Sequence, residues 1–187
     1  ANLTDVKLAG ENLSGADLRG ANLTRTDFTK ANLSGANLAG AIVNEFGKKT
    51  VLTGANLTKA NLTGAKLSYM DLLGNVNLTG ANLTGADMFQ ANLAGANLTD
   101  ATVTNATLQN ANLTNATLTR VNFAGLNLDR VRLVGADLTA AVLTLADLTN
   151  ANLTNANLTG AVLINTVLSR ADLTNANLTG ADLSNTT

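Results

Sequence analysis

The chain has 187 residues, of which 45% are hydrophobic but only 3% aromatic, and it contains no cysteine. Twelve basic and 13 acidic side chains leave a formal net charge of −1, which argues against partners bound by strong electrostatics, such as nucleic acid or an anionic membrane. Without cysteine there is no disulfide and no thiolate metal site, and no apolar run reaches the roughly 18 residues of a membrane span.

A five-residue repeat starts at Ala1 and reads Ala, Asn or Asp, Leu, Thr or Ser, Gly or Asn. Eight pentads cover 1–40, a ninth covers 41–45, and a tenth covers 50–54 after a four-residue insert. Four pentads follow over 55–74, Asn75 is a one-residue insert, and twenty-two pentads cover 76–185. The sequence therefore predicts a single repeat domain over 1–187 with inserts at 46–49 and 75.

The positions within the pentad separate into inward and outward sites. Position three is Leu in 31 of 36 pentads and position one is Ala in 26, so a three-residue strand with these two positions inside is predicted. A helix would spread the leucines around its whole circumference. Position five is Gly, Asn or Asp in 25 pentads, and these residues favour turns and positive φ. A turn after each pentad predicts four-sided coils, nine in number, stacked about 4.8 Å apart.

The units Ala16-Asp17-Leu18 and Ala146-Asp147-Leu148 match the repeat A(D/N)LXX, and most other pentads do the same. On these units the chain resembles the pentapeptide-repeat family over about 180 of its 187 residues. The resemblance implies an all-β fold, a right-handed quadrilateral parallel β-helix of about nine coils. Neither end of the sequence has the pattern of a capping helix. Some members of the family mimic DNA and bind type II topoisomerases, but this chain lacks the strong negative charge that a DNA mimic needs.

No catalytic set is present in the sequence. Nucleophilic serine mechanisms usually need a base such as histidine, and the chain has none. Most aspartates stand at outward position two, where they alternate with asparagine, and no phosphate-binding or calcium-binding loop motif occurs. The prediction is a protein that is not an enzyme, with no catalytic, cofactor-binding or metal-binding residue.

One side of the predicted coil carries a hydroxyl at position four in all nine coils. This hydroxyl ladder consists of Ser14, Ser34, Thr58, Thr79, Thr99, Thr119, Thr139, Thr159 and Thr179. It has three interpretations: chance in a repeat rich in Ser and Thr, a flat array that binds ice or another surface, or a by-product of glycosylation sequons. Position two of the same side supplies Asn-Leu-Ser/Thr sequons at Asn12, Asn32, Asn56, Asn77, Asn97, Asn157 and Asn177.

A second outward feature is apolar. Several large aliphatic residues replace the polar consensus around one corner of two neighbouring coils, and we call them the contact patch: Val142, Leu145, Val162, Ile164 and Val167. Exposed apolar clusters often mark interaction sites, whereas scattered apolar surface residues are also common and carry no function.

The repeat runs from the first residue to within two residues of the last. Open coils expose apolar columns and strand edges, and the favoured hypothesis is a structural rod that assembles head to tail into a fibre. Glu11, at an inward site of the first coil, would either block that edge or pair across a junction with a basic residue such as Arg170.

The alternatives are an interaction scaffold, with a topoisomerase-binding DNA mimic as one version, and ice or surface binding through the ladder. The predicted partners are further copies of the chain, with no nucleic acid and no membrane insertion. A glycosylated fibre favours an extracellular location.

Overall fold

The computed structural model describes residues 1–45, 48–72 and 74–187. Parallel β-bridges connect position-two residues of successive coils, as in Asn2 with Asn22 and Asn157 with Asn177. The 20-residue spacing of these bridges equals four pentads, so the chain completes one circuit in four pentads. The described residues contain no helix, and the architecture is an all-β solenoid. None of these residues forms a helix with the length and apolarity of a membrane span.

The corners of the coil are set by position five. Apart from Glu45, which lies in the insert strand, residues at this position have φ between 53° and 80°, whether they are glycine or another residue such as Arg25, Tyr69 or Leu145. The next N–H donates to the carbonyl of position three and closes a tight turn, as from Val6 to Leu3 at 3.2 Å. Since glycine and asparagine occupy this backbone region at the least cost, the recurrence of these two residues in the sequence reports the corners directly.

Adjacent coils are joined by the same backbone hydrogen bonds in each repeat. The position-two N–H donates to the position-one carbonyl of the preceding coil, as from Asn22 to Ala1 at 2.9 Å. The position-three N–H donates in the opposite sense, as from Leu3 to Asn22 at 2.8 Å. The strand at each side is so short that its pairing is a single bridge, but its repetition satisfies the backbone along the whole stack.

Position one and position three point inward and form the core. Leucines such as Leu23, Leu83 and Leu143 are fully buried, and alanines such as Ala31 and Ala91 fill the space between them. Full burial of one leucine contributes roughly 1.5–3 kcal/mol. The core is therefore a column of small contributions repeated coil after coil, as expected of a solenoid.

The two inserts leave the stacking register intact. Strands β1 (Asn44–Glu45) and β2 (Lys48–Lys49) pair antiparallel, so the departure from the coil begins two residues before the predicted insert 46–49. Residues 46 and 47 of that insert lie outside the described residues. The bridge that crosses this region joins Asp27 to Val51, 24 residues apart, and the bridge across Asn75 joins Asn56 to Asn77, 21 residues apart.

The first and last coils are more open than the rest. Leu3, Leu8 and Leu13 are only half-buried, and Leu183 is 36% exposed. Glu11 is also exposed, because no coil of this chain covers its inward site from below. The apolar columns therefore continue up to the two ends of the stack.

The position of a leucine along the rod predicts what its removal costs. Leu113 is 1% exposed in the middle of the stack and Leu183 is 36% exposed in the last coil. We expect Leu113→Ala to lower the free energy of unfolding by about 2–5 kcal/mol, since it leaves a closed cavity, and Leu183→Ala to lower it by much less. Urea denaturation followed by circular dichroism measures both. Equal losses would contradict the closed column.

Candidate functional site

The structure places the hydroxyl ladder on one side of the rod. Its position-two neighbours form an unbroken column of bridges from Asn12 through Asn97 to Asn177. Seven of the nine hydroxyl residues are half-buried, and Ser14 and Thr179 at the two ends are exposed. The hydroxyl-bearing residues are therefore aligned along one side, and most of them are partly covered by their neighbours.

Most ladder hydroxyls are already engaged within their own pentad. Thr58 donates its hydroxyl to Asn56 Oδ1 at 2.6 Å, and its backbone N–H approaches the same oxygen at 3.1 Å. The same hydroxyl bond to position two recurs at Thr79, Thr139, Thr159 and Thr179. The donor hydrogens consequently point along the surface toward the asparagine rather than out to a ligand.

The sequon asparagines are likewise part of the coil. Each accepts the N–H of the residue two positions later on its Oδ1, as from Ser14 to Asn12 at 3.2 Å. Asn32, Asn56, Asn157 and Asn177 also donate Nδ2 to the neighbouring coil. Glycosylation needs a free Nδ2. In the folded coil, Nδ2 of these four asparagines is hydrogen-bonded, whereas the described residues show no such bond from Asn12, Asn77 or Asn97.

One carboxylate interrupts the asparagine column. Asp137 Oδ1 accepts the Thr139 hydroxyl at 2.5 Å and Asn157 Nδ2 at 3.2 Å, while Oδ2 accepts the Thr119 hydroxyl at 3.2 Å. Partial burial raises the pKa of Asp137, but the hydrogen bonds outweigh burial and the net pKa is lowered. The negative charge is thus held by neutral donors, without a basic partner.

The contact patch is assembled as the spacing predicts. Val142 and Val162 are bridged in successive coils, and the Leu145 N–H donates to the Ile164 carbonyl at 3.0 Å. Val167 lies on the next side, bridged to Asp147. Leu145 is 65% exposed at a corner with φ 61°, a conformation that costs a non-glycine residue roughly 1–2 kcal/mol. Val142 and Val162 are therefore aligned in adjacent coils, and Leu145 protrudes at the neighbouring corner.

Sequence reasoning missed an aromatic pair on another side of the rod. Tyr69 and Phe89 belong to adjacent coils, and their rings meet edge to face with centroids 5.6 Å apart. Tyr69 is 53% exposed. The two residues are 20 apart but occupy positions five and four of their pentads, because the inserted Asn75 lies between them. Both point outward, in a chain that has only five aromatic residues. That scarcity is the signal that could have revealed them.

A second missed feature is polar and internal. Thr26, Thr50 and Thr166 replace the inward alanine of position one and are fully buried. Each hydroxyl donates to the leucine carbonyl of the preceding coil, at distances of 2.6–2.7 Å. These residues reinforce the turn at no desolvation penalty, and their role is structural.

The surface ion pairs do not form a catalytic or metal centre. Arg19 binds Asp17 through two hydrogen bonds and holds the pKa of that carboxyl at about 2, and Arg120 binds Asp100 in the same bidentate way. Both pairs are exposed, so they add little stability. In the described residues, no group of three acidic side chains converges to hold a metal ion.

The ladder offers a matched test of the threonine hydroxyl. Thr58 and Thr99 occupy equivalent half-buried sites, but the described structure shows a side-chain hydrogen bond only from the Thr58 hydroxyl. We expect Thr58→Val to lower the free energy of unfolding by about 0.5–1.5 kcal/mol and Thr99→Val to leave it nearly unchanged. Urea midpoints of the two variants decide the matter. Identical midpoints would show that the hydroxyl bond adds nothing.

Asp137 predicts a specific acid sensitivity. Because its pKa is lowered on folding, its stabilising effect is complete above the pKa of the unfolded chain, near 3.9, and is lost as pH falls through the folded pKa. We expect Asp137→Asn to be less stable than the parent at pH 7, because hydrogen bonds to a charged carboxylate are replaced by weaker ones to a neutral amide, and the difference to vanish toward pH 2. Urea midpoints measured across this pH range test it. A difference independent of pH would refute the assignment.

Comparison with known proteins identifies the repeat. The sequence signature of pentapeptide repeats matches in eight copies over residues 1–44, 48–72, 73–110, 96–133, 106–144 and 151–187. No curated protein sequence matches the chain.

Solved structures share the fold. HetL, a pentapeptide repeat protein involved in heterocyst differentiation regulation from the cyanobacterium Nostoc, is 31% identical, with 99% of this chain and 86% of HetL covered and a TM-score of 0.51. A trypsin-treated form of QnrB1, a plasmid-mediated fluoroquinolone resistance protein, is 22% identical, with 99% and 88% covered and a TM-score of 0.58. Full-length QnrB1 is 19% identical, with 100% and 93% covered and a TM-score of 0.51. The family predicted from A(D/N)LXX is confirmed, and the chain belongs to the pentapeptide repeat proteins.

Proposed function

We propose that the chain is a non-enzymatic structural rod, a right-handed quadrilateral β-helix of about nine coils without capping helices, whose copies join head to tail into a fibre. The observation that carries this proposal is the pattern of backbone groups at the two ends of the described stack.

The end coils present complementary donors and acceptors. Within the described chain, the position-two N–H groups of Asn2, Lys7, Asn12 and Asp17 have no backbone partner, although most of their equivalents in later coils donate to a position-one carbonyl. At the other end, the carbonyls of Ala171, Ala176 and Ala181 lack such a donor. Stacking the first coil of one copy on the last coil of another would pair the two sets, as between coils of a single chain.

Apolar surface at the ends adds to this attraction. The half-buried leucines of the first coil and Leu178 and Leu183 of the last coil continue the internal columns. Glu11 in the first coil and Arg170 in the last coil are both exposed and opposite in charge. A heterologous contact of this kind does not close on itself and generates a filament.

Imaging of the 187-residue chain by negative-stain electron microscopy tests the proposal. We expect filaments that lengthen with protein concentration. Leu178→Lys should leave short rods, because it places a charge on the end surface, whereas Thr104→Lys adds the same charge to an exposed site on the side of the rod and should not interfere. Short particles of the parent chain at every concentration would refute the fibre.

A lateral interaction scaffold is the second candidate, and Leu145 is the observation that favours it. A protruding leucine in a strained corner conformation costs stability unless a partner covers it. A regulatory role, such as the one stated for HetL, would need a lateral surface of this kind. The topoisomerase-binding version is less well supported, because the net charge of −1 does not resemble DNA. Inhibition of gyrase supercoiling by the purified chain would favour the topoisomerase-binding function over the other candidates.

The hydroxyl ladder supports two further proposals more weakly. Ice or surface binding would have to use hydroxyls that mostly donate within the coil, and thermal hysteresis of the purified chain tests it. On the ladder side, glycosylation of the folded coil would be confined to Asn12, Asn77 and Asn97, and among these Asn12 is exposed. Mass spectrometry of the chain secreted from a glycosylating cell would locate the modified asparagines.

A further inference from the structure

On one side of the rod, four residues at positions four and five of three adjacent coils depart from the consensus. Tyr69, Phe89, Gln90 and Gln109 replace the usual Thr or Ser of position four or the usual Gly or Asn of position five. With the flanking consensus residues they form the aromatic cluster, which we define as Ser68, Tyr69, Phe89, Gln90, Gln109 and Asn110. The coils are in direct register, since the Tyr69 N–H donates to the Phe89 carbonyl at 2.9 Å and the Gln90 N–H to the Gln109 carbonyl at 3.1 Å. The cluster is thus one continuous strip along the rod.

The cluster is locally unfavourable for the fold. Tyr69 and Gln90 hold φ of 59° and 53° at corners where asparagine or glycine would be less strained. Tyr69 is 53% exposed. Gln109 Oε1 is buried and has no hydrogen-bond partner, a state shared in the described residues only by the Thr24 hydroxyl. A chain that violates several local rules at one place usually does so for function.

The strip is electrically neutral. All six residues of the aromatic cluster are uncharged, and the nearby position-two residues Lys66 and Asp87 have opposite signs and are bridged in adjacent coils. Ion pairs occupy the same corner positions elsewhere on this side, with Asp5 and Arg25 before the cluster and Arg130 beside Asp129 after it. A charged ligand would find no complementary charge in the strip, so the partner it fits is neutral.

We propose that the aromatic cluster binds a neutral carbohydrate polymer laid along the rod. A sugar ring has an apolar face of C–H groups that stacks on an exposed aromatic ring, and Tyr69 presents such a ring, fixed by its edge-to-face contact with Phe89. Around the ring, the amides of Gln90, Gln109 and Asn110 provide uncharged donors and acceptors for hydroxyl groups.

The unpaired acceptor distinguishes sugar from the nearest alternative. A proline-rich peptide also docks on aromatic surfaces, but its prolines carry no N–H and would leave Gln109 Oε1 unsatisfied. The hydroxyl groups of a sugar can donate to that oxygen and pair it. The proposal is independent of the end coils, so it does not depend on fibre formation.

Affinity electrophoresis of the purified chain in gels that contain soluble β-glucan, xylan or dextran tests the proposal. We expect at least one polysaccharide to retard the chain. Tyr69→Asn and Phe89→Thr restore consensus residues, so the coil should remain folded, and each should weaken binding by about tenfold or more through loss of the stacking surface. Tyr69→Phe keeps the ring and should bind like the parent.

The matched control is Leu145→Asn, which also replaces an exposed non-consensus corner residue by asparagine but lies outside the cluster. It should bind like the parent chain, and circular dichroism melts should show all variants folded. Retardation by none of the three polysaccharides, or equal retardation of the parent and Tyr69→Asn, would refute the proposal. Binding of a fluorescent polyproline peptide that is lost in Tyr69→Asn, without polysaccharide binding, would assign the surface to a peptide instead.

Discussion

The positive φ at every fifth residue is the constraint on which the structure depends. It turns the chain by one corner after each three-residue strand, so that four pentads return the backbone above its starting point. Only then do position-three leucines face one another inside the coil and position-two backbone groups meet those of the next coil. Without the positive φ at each corner, the leucines would no longer point into the same core. The single bridges on each side are too short to form a stable sheet alone.

The corner constraint also explains how the outside can vary. Asparagine or aspartate at position two accepts the position-four N–H in most pentads, as Asn32 does from Ser34 and Asp182 from Ser184. Backbone pairing, core and side-chain turn therefore use the backbone and positions one to three, with only the N–H of position four. Position five must keep its positive φ, but the side chains of positions four and five face solvent and are free to vary. Function in such a rod is found in departures from consensus rather than in the consensus.

The sequence predicts the inside of the rod well and the outside poorly. Leucine and glycine spacing suffices for the coil, because the burial of Leu83 and the turn at Gly85 are local consequences of the pentad. Strands β1 and β2 could not be predicted, since residues 44–49 have no hydrophobic periodicity. The contact between Tyr69 and Phe89 could not be predicted from the sequence, because the one-residue insert Asn75 lies between them and its place in the coil decides which residues of adjacent coils are neighbours. Hydroxyl direction at Thr58 depends on rotamers, which a pattern of residue types does not encode.

The two proposed kinds of contact differ in what they demand of the sequence. End-to-end stacking uses backbone groups and the leucine columns, which every coil possesses, so specificity for this chain must come from the few unusual end residues, such as the exposed Glu11. Lateral contacts use residues that the fold does not need and that even disfavour it, such as Leu145 and Tyr69 at strained corners. A rod can therefore combine the two without conflict. In the proposed rod, the ends would join copies through a contact that every coil can make, and the sides would carry separate recognition surfaces.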